Sequence, residues 1–260
     1  MKGFILSFSF FLYLFLFLYS NQSLSQHILP YKLGESFLYN ISFAGIKVGD
    51  ASLKIDSIKN INDKNCYHII GAGKTTPFFD FFFKVRDTYE TFLDTSSILP
   101  VKFKRDISEG GFKKKQLYHF NHTDSVVYSE DTLYQIYNSS QDMLSALFFA
   151  RTFDGKDLKI DDKFIIPIFM DEENYFLEIK YLQKDTINTD FGNVECLVFK
   201  PLMQEGRVFE NGERMKVWIT NDDNHLLLKV ETQIWAGKIE AELVDYSNIK
   251  FPLNIINIQE

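Results

Sequence analysis

The sequence predicts a mainly β protein: a curved antiparallel sheet, or an open or closed barrel, with one covering helix at about residues 141–153. Three observations predict it. Apolar residues recur with period two along most of the chain, which is the pattern of a strand with one buried face. Short turns rich in Gly, Asn and Asp separate these runs. Only one stretch has helical spacing, and no βαβ alternation is present.

The elements follow in chain order. Lys2 precedes an unbroken apolar run from Phe4 to Tyr19, then the polar Ser20-Asn21-Gln22-Ser23. The run is about 16 residues, short of the ~20 that span a membrane. With small residues at Ser23 and Ser25 it reads as a cleavable secretory leader cut before Gln26. The expected organisation is therefore a leader over 1–25 and a β-rich domain over 26–260. That domain is either one body or two halves joined near the helix at 141–155. Export follows, to the periplasm or outside the cell, with no transmembrane span left after cleavage.

Phe37, Tyr39, Ile41 and Phe43 alternate with Leu38, Asn40 and Ser42 up to the Ala44-Gly45 turn. Val48 is out of phase with Ala51, Leu53 and Ile55, which predicts a bulge at Gly49-Asp50. After the polar turn at 60–65, Cys66–Ala72 reads as a strand. Phe79, Phe81, Phe83, Val85 and Tyr89 share one parity and predict a long strand reaching Leu93. Gly110-Gly111 turns the chain into Gln116–Phe120, and Ser125–Ser129 is a short strand. This half is a meander of six or seven strands. In Asp142–Phe153, Met143, Leu144, Leu147, Phe148 and Ala150 have helical spacing, with Ser140 or Asp142 to cap it and Gly155 to stop it. Strands then return, with turns at Asp171-Glu172-Glu173, Asp190–Asn193, Asn211-Gly212, Asn221–Asn224 and Ala236-Gly237. The total is a strand count in the mid-teens.

The formal charge of −7, made one unit more negative by loss of Lys2 with the leader, excludes nucleic acid as a partner. Two cysteines, Cys66 and Cys196, cannot build a disulfide framework or a zinc site. They read as two buried strand thiols, with one disulfide between them the alternative. No nucleophile-elbow, zincin or phosphate-loop motif occurs, so no catalytic residue, metal or cofactor is assigned. His119 and His122 are the nearest approach to a metal pair. Three apart on a strand, they point to opposite faces.

Several short motifs in order resemble a known family of exported bacterial proteins. They are Tyr31-Lys32-Leu33-Gly34-Glu35, Phe43-Ala44-Gly45-Ile46-Lys47-Val48-Gly49, the run from Asp142 to Arg151, and Val217–Asp223 followed by Gly237. The chain is similar over nearly its whole mature length to the family called domain of unknown function 3108. The resemblance implies an exported, β-rich envelope protein and transfers no activity. A curved sheet wrapped on a helix, as in lipoprotein carriers, is an analogy at the level of fold.

Two groups of residues are candidates for function. Phe79, Phe81, Phe83 and Val85, with Leu147 and Phe148 of the helix, are expected to wall an apolar groove. Arg86, Asp87, Tyr89 and Arg105 are expected to form a polar patch inside the concave sheet, or else cross-strand ion pairs. The leading reading is a non-enzymatic envelope protein that binds an apolar or lipid-like small molecule. A structural or protein-interaction module, partnered by an envelope protein, is the second. A hydrolase using His119, Asp87 or Asp106 is the third and requires those side chains to converge.

Overall fold

The period-two runs become strands. The computed structural model describes residues 28–202 and 215–256; the expected leader and the Asn211-Gly212 hairpin lie outside them. The first group of strands is β1 (Ser36–Phe43), β2 (Ile46–Ile61), β3 (Lys64–Thr75), β4 (Val85–Asp94), β5 (Pro100–Glu109), β6 (Phe112–Asn121), β7 (Val126–Ser129) and β8 (Thr132–Gln135). The second is β9 (Lys163–Met170), β10 (Glu173–Thr189), β11 (Gly192–Leu202), β12 (Met215–Thr220), β13 (Leu227–Ile234), β14 (Gly237–Ser247) and β15 (Ile255–Ile256). Each group is an antiparallel meander, and the two join where β1 pairs with β14. The two-residue β15 adds to β11.

The ladder is open between its two edge strands, β8 and β9. Residues 136–142 cross that gap. Pro167 O accepts the Gln141 N–H at 2.8 Å, and Gln141 O accepts the Phe169 N–H at 2.9 Å. Asn174 Nδ2 donates to Gln135 O at 2.6 Å. The edges are thereby covered rather than left as templates for pairing, and the sheet is barrel-like without a closed ladder. Phe169 packs against Phe103, Tyr118, Phe120 and Val127 across the interior. A bulge is present on β2 one residue before the expected Gly49-Asp50, with Val48 the extra residue between the Ser42–Lys47 and Ile41–Gly49 pairs. Cys66 and Cys196 are both buried and free, and burial pushes their thiols up to about 11 and about 12 respectively.

Two expectations need correction. The long strand through the Phe run begins only at Val85. Pro77–Asp80 is a short helix, α1, followed by a turn to Lys84. Pro77 stands where its missing N–H costs nothing. Asp80 accepts from Thr75 Oγ1 at 2.5 Å, and Thr76 O accepts the Asp80 N–H at 2.9 Å, which closes the turn. The alternation of Phe79, Phe81 and Phe83 was thus not a strand signal. The covering helix, α2, is also shorter than 141–153: it runs over Ser145–Ala150. Gln141 is held extended by its bridge to Ile168. At the far end Arg151 turns into the core. Asp142 does cap the helix, its Oδ1 accepting the N–H of Leu144 and of Ser145 at 2.8 Å each.

Arg151 is the hub of the main core, only 4% exposed. Its Nη1 lies 2.6 Å from Oε1 of the fully buried Glu35. Its Nε donates to Asn224 O at 3.0 Å and its Nη2 to Pro30 O at 3.3 Å. The guanidinium also lies over the rings of Tyr31, Phe37 and Phe148. One side chain therefore joins α2, the N-terminal segment and the β12–β13 turn. Asn224 extends the network, since its Oδ1 accepts the Phe251 N–H at 2.8 Å and its Nδ2 donates to Phe251 O at 3.0 Å. Removing one partner of such a pair strands a buried charge, at a cost of about 3–5 kcal/mol. In chemical denaturation Arg151→Ala is expected to lose stability on that scale. The double variant Glu35→Leu/Arg151→Met, which removes both charges, is expected to recover most of it.

Candidate functional site

Beneath α2 lies an apolar cavity of about 350 Å³. Its roof is Ala146, Leu147 and Ala150 of the helix, preceded by Met143 and continued by Phe153 and Leu158. Its floor comes from β9 (Phe164, Ile168), β10 (Tyr175, Leu177, Ile179), β11 (Leu197, Phe199, Pro201) and β12 (Val217, Ile219). Strand alternation selects these residues. Leu197, Phe199, Val217 and Ile219 face the cavity, whereas Cys196, Val198 and Trp218 point the other way into the main core. Polar side chains in the lining are Arg151, Asp154, His225 and, through its hydroxyl, Tyr175. His225 is oriented by an Nδ1 contact of 2.8 Å to Arg151 O. Gly155 lies close to the floor: a Cβ there would sit 2.8 Å from Leu197 Cδ1 and would push that side chain aside. Read from sequence as the helix stop, Gly155 lies beyond the end of α2 at Ala150.

The structure separates the expected apolar wall. Leu147 lines the cavity. Phe148, on the opposite side of the helix, is fully buried and edge-on to Tyr31 at 5.1 Å. Phe79, Phe81, Phe83 and Val85 are not part of the cavity lining. Phe81 is 88% exposed and Phe83 more than half exposed. The parity sets Tyr175/Leu177/Ile179 and Val217/Ile219 were visible in the sequence. Their convergence depends on β9–β12 passing under α2, which spacing along one strand does not encode.

The expected polar patch is also divided. Asp87, Tyr89 and Arg105 share the inner face of β4 and β5, with Tyr89 directly opposite Arg105. Arg86 is on the outer face, paired with Asp80. Arg105 meets Asp171 of the β9–β10 turn, and Lys114 Nζ reaches the same carboxylate at 2.6 Å. Glu172 accepts from Gln116 Nε2 at 2.8 Å and from Tyr118 OH at 3.0 Å. Although partial burial opposes it, the two cations hold the Asp171 carboxyl below its usual range. Burial, with Asp87 next to it, pushes the Tyr89 hydroxyl up to about 12. Sequence reading missed Asp171 and Glu172 as partners because they looked like a solvated turn. The cluster pins the hairpin onto β5 and β6.

The residues of a hydrolytic site do not converge. His119 and Asp106 project from the outer face, and Asp106 pairs with Lys115 at 2.8 Å. Asp87 is on the inner face, accepting the Ser108 N–H at 3.0 Å. His122 Nε2 is 2.9 Å from Pro100 O. Among the described residues no group of three His, Cys, Asp or Glu side chains could hold a metal ion. None of their helices is long and apolar enough to cross a membrane.

These features fit the comparisons with known proteins. A family model described as a protein of unknown function, DUF3108, matches residues 38–244. The chain belongs to that family. The match spans both meanders, so the DUF3108 unit includes α2 and the whole cavity floor. The fold is similar to that of a β-barrel-like protein of another domain of unknown function, DUF1849, from Brucella abortus. That structure aligns at 8% identity over 85% of this chain and 100% of its own, with a TM-score of 0.52. A protein with a YmcC-like fold from Bacteroides fragilis aligns at 10% identity over 85% of this chain and 98% of its own, with a TM-score of 0.34, too low to argue from. No curated protein matches the sequence.

Asp142 holds the lid of the cavity in place, and it is fully buried. Burial outweighs its hydrogen bonds to Thr91, Leu144 and Ser145 and pushes its carboxyl up from 3.8 to about 6. A folded-state pKa above the unfolded one stabilises fully below the unfolded value and ceases to do so as pH rises through about 6. The shift corresponds to on the order of 3 kcal/mol. Denaturation midpoints measured from pH 4 to pH 7 are expected to carry a falling contribution of up to that size. Asp142→Asn keeps an acceptor for Leu144 and Ser145 and is expected to remove it.

Proposed function

We propose that this protein is a non-enzymatic, exported envelope protein that binds an acyl chain or similarly apolar small molecule in the cavity under α2. The observation that carries the reading is the cavity itself. It has a volume within the range of ligand sites and walls that are almost wholly apolar. The cavity is partly open, so when empty its apolar walls face water, and covering them with an apolar ligand is favourable by roughly 25 cal/mol per Å². Water gains little there, because a buried water needs two or more polar partners. An apolar ligand satisfies the walls. Asp154 and His225 at the margin offer a polar end group its contacts. The leader supports action outside the cytoplasm, in the periplasm or beyond the cell.

The test begins with native mass spectrometry of the exported protein and denaturing lipid extraction. A stoichiometric apolar molecule is expected. Titration with the fluorescent fatty acid cis-parinaric acid should then saturate at one site. Ala150→Trp places an indole in the cavity and is expected to weaken that titration by at least about tenfold, with thermal stability retained. A bare mass together with no saturable probe binding overturns the reading.

A further inference from the structure

The strand directions put every hairpin tip at one of two ends, and the two ends differ in chemistry. One end gathers the turns after β1, β3, β5, β7 and β13, together with the β9–β10 turn; the β7 turn, at the β8 edge of the sheet, exposes Glu130 and Asp131, and the aromatic arc lies on the other tips. Backbone contacts make four of these tips contiguous. Ala44 N–H donates to Lys238 O at 2.8 Å, Thr76 N–H to Val48 O at 2.9 Å, and Gly110 N–H to Lys84 O at 2.9 Å. Phe83 lies where a side chain on Gly110 would be. Along this rim Ile46, Phe78, Phe81, Phe82, Phe112 and Trp235 are all exposed, Trp235 to 94%. The rings of Phe78, Phe79, Phe81 and Phe82 meet edge-on or tilted and cover no core. Exposed Lys74, Lys84 and Lys113 stand among them, with Lys47 and Arg86, which pair with Asp50 and Asp80. The opposite end has the turns at 62–63, 122–125, 190–191 and 221–225, and exposes Asp63, Asp124, Asp190 and Asp223. Lys64 is an exposed cation beside them.

We infer that the aromatic rim is a docking surface for an anionic phospholipid bilayer, entered edge-on by these tips while the acidic end faces away. Single large apolar side chains projecting from separate turns, interleaved with lysines, match the bilayer interface. There aromatic rings settle at headgroup depth and lysine stems carry their charge back to the lipid phosphates. A negatively charged chain needs such a local cationic rim to approach an anionic membrane at all. A packed protein partner would instead call for a continuous, shape-complementary apolar patch with a buried centre. The inference stands apart from the cavity reading, because no rim residue lines the cavity.

The experiment is flotation of the exported protein with vesicles of phosphatidylglycerol and phosphatidylethanolamine, against vesicles of phosphatidylcholine alone. The anionic vesicles are expected to carry the protein, with a blue shift in emission from Trp235; the chain's other tryptophan, Trp218, is already buried. Phe81→Ser/Phe82→Ser removes two rings that support no core and is expected to reduce flotation at least about tenfold with an unchanged melting curve. Lys84→Glu/Lys113→Glu is expected to abolish the preference for anionic lipid. Ala150→Trp is expected to leave flotation intact, which separates the rim from the cavity. The inference is overturned by absence of wild-type flotation, or by flotation that the Phe81/Phe82 variant retains. Self-association that this variant abolishes, without vesicle binding, overturns it too by assigning the rim to a second copy.

Discussion

One buried guanidinium sets the geometry on which the remaining structure depends. Arg151 leaves the last turn of a six-residue helix that could not hold itself together in isolation. Its charge is met by Glu35 and by two backbone carbonyls, and its plane is sandwiched by aromatic rings. Burying a charge is tolerable only with partners of this quality. Desolvation still outweighs Arg151 in holding the Glu35 carboxyl above its usual range. The pair therefore contributes placement more than stability. It fixes α2 against the strand β1 side of the core and leaves the helix's other face over β9–β12, where Leu147 and Ala150 roof the cavity.

The barrel-like form follows from a second constraint, the closing of a sheet whose edges do not pair. Neither β8 nor β9 finds a strand partner on its open side, and in the segment 136–142 that crosses the gap Gln141 supplies hydrogen bonds to β9. The same segment ends in Asp142, the cap of α2. Closure of the sheet and placement of the lid are thus one piece of chain. At the other end of β9, Asp171 and Glu172 reach Arg105, Lys114, Gln116 and Tyr118, tying the hairpin down from the opposite side. The cavity lies between these two ties.

Much of the fold was legible in the sequence because a strand with one buried face writes itself with period two. Met215, Val217 and Ile219, or Tyr175, Leu177 and Ile179, needed no structure to be placed on one side. The short elements were not legible. Phe79, Phe81 and Phe83 alternate as a strand would, yet Pro77 and the Asp80 contacts to Thr75 and Arg86 wind the chain there. The helical spacing overextends the helix at its start, since Gln141 is held by a bridge to Ile168, a contact remote in sequence. The candidate wall failed for a related reason. Leu147 and Phe148 are adjacent, and on a helix adjacent residues diverge by about 100°, so one met the cavity and the other the core. The polar patch was read from β4 and β5 alone, while its charge balance comes from a hairpin more than sixty residues away.

The cavity under α2 gives this DUF3108 protein its functional reading. A crystal structure of the protein purified from the envelope without detergent tests that reading most directly. The account predicts elongated density between α2 and strands β9–β12, in contact with Leu147, Leu177 and Phe199. A cavity collapsed around its own side chains, with α2 seated directly on β9–β12, would contradict it.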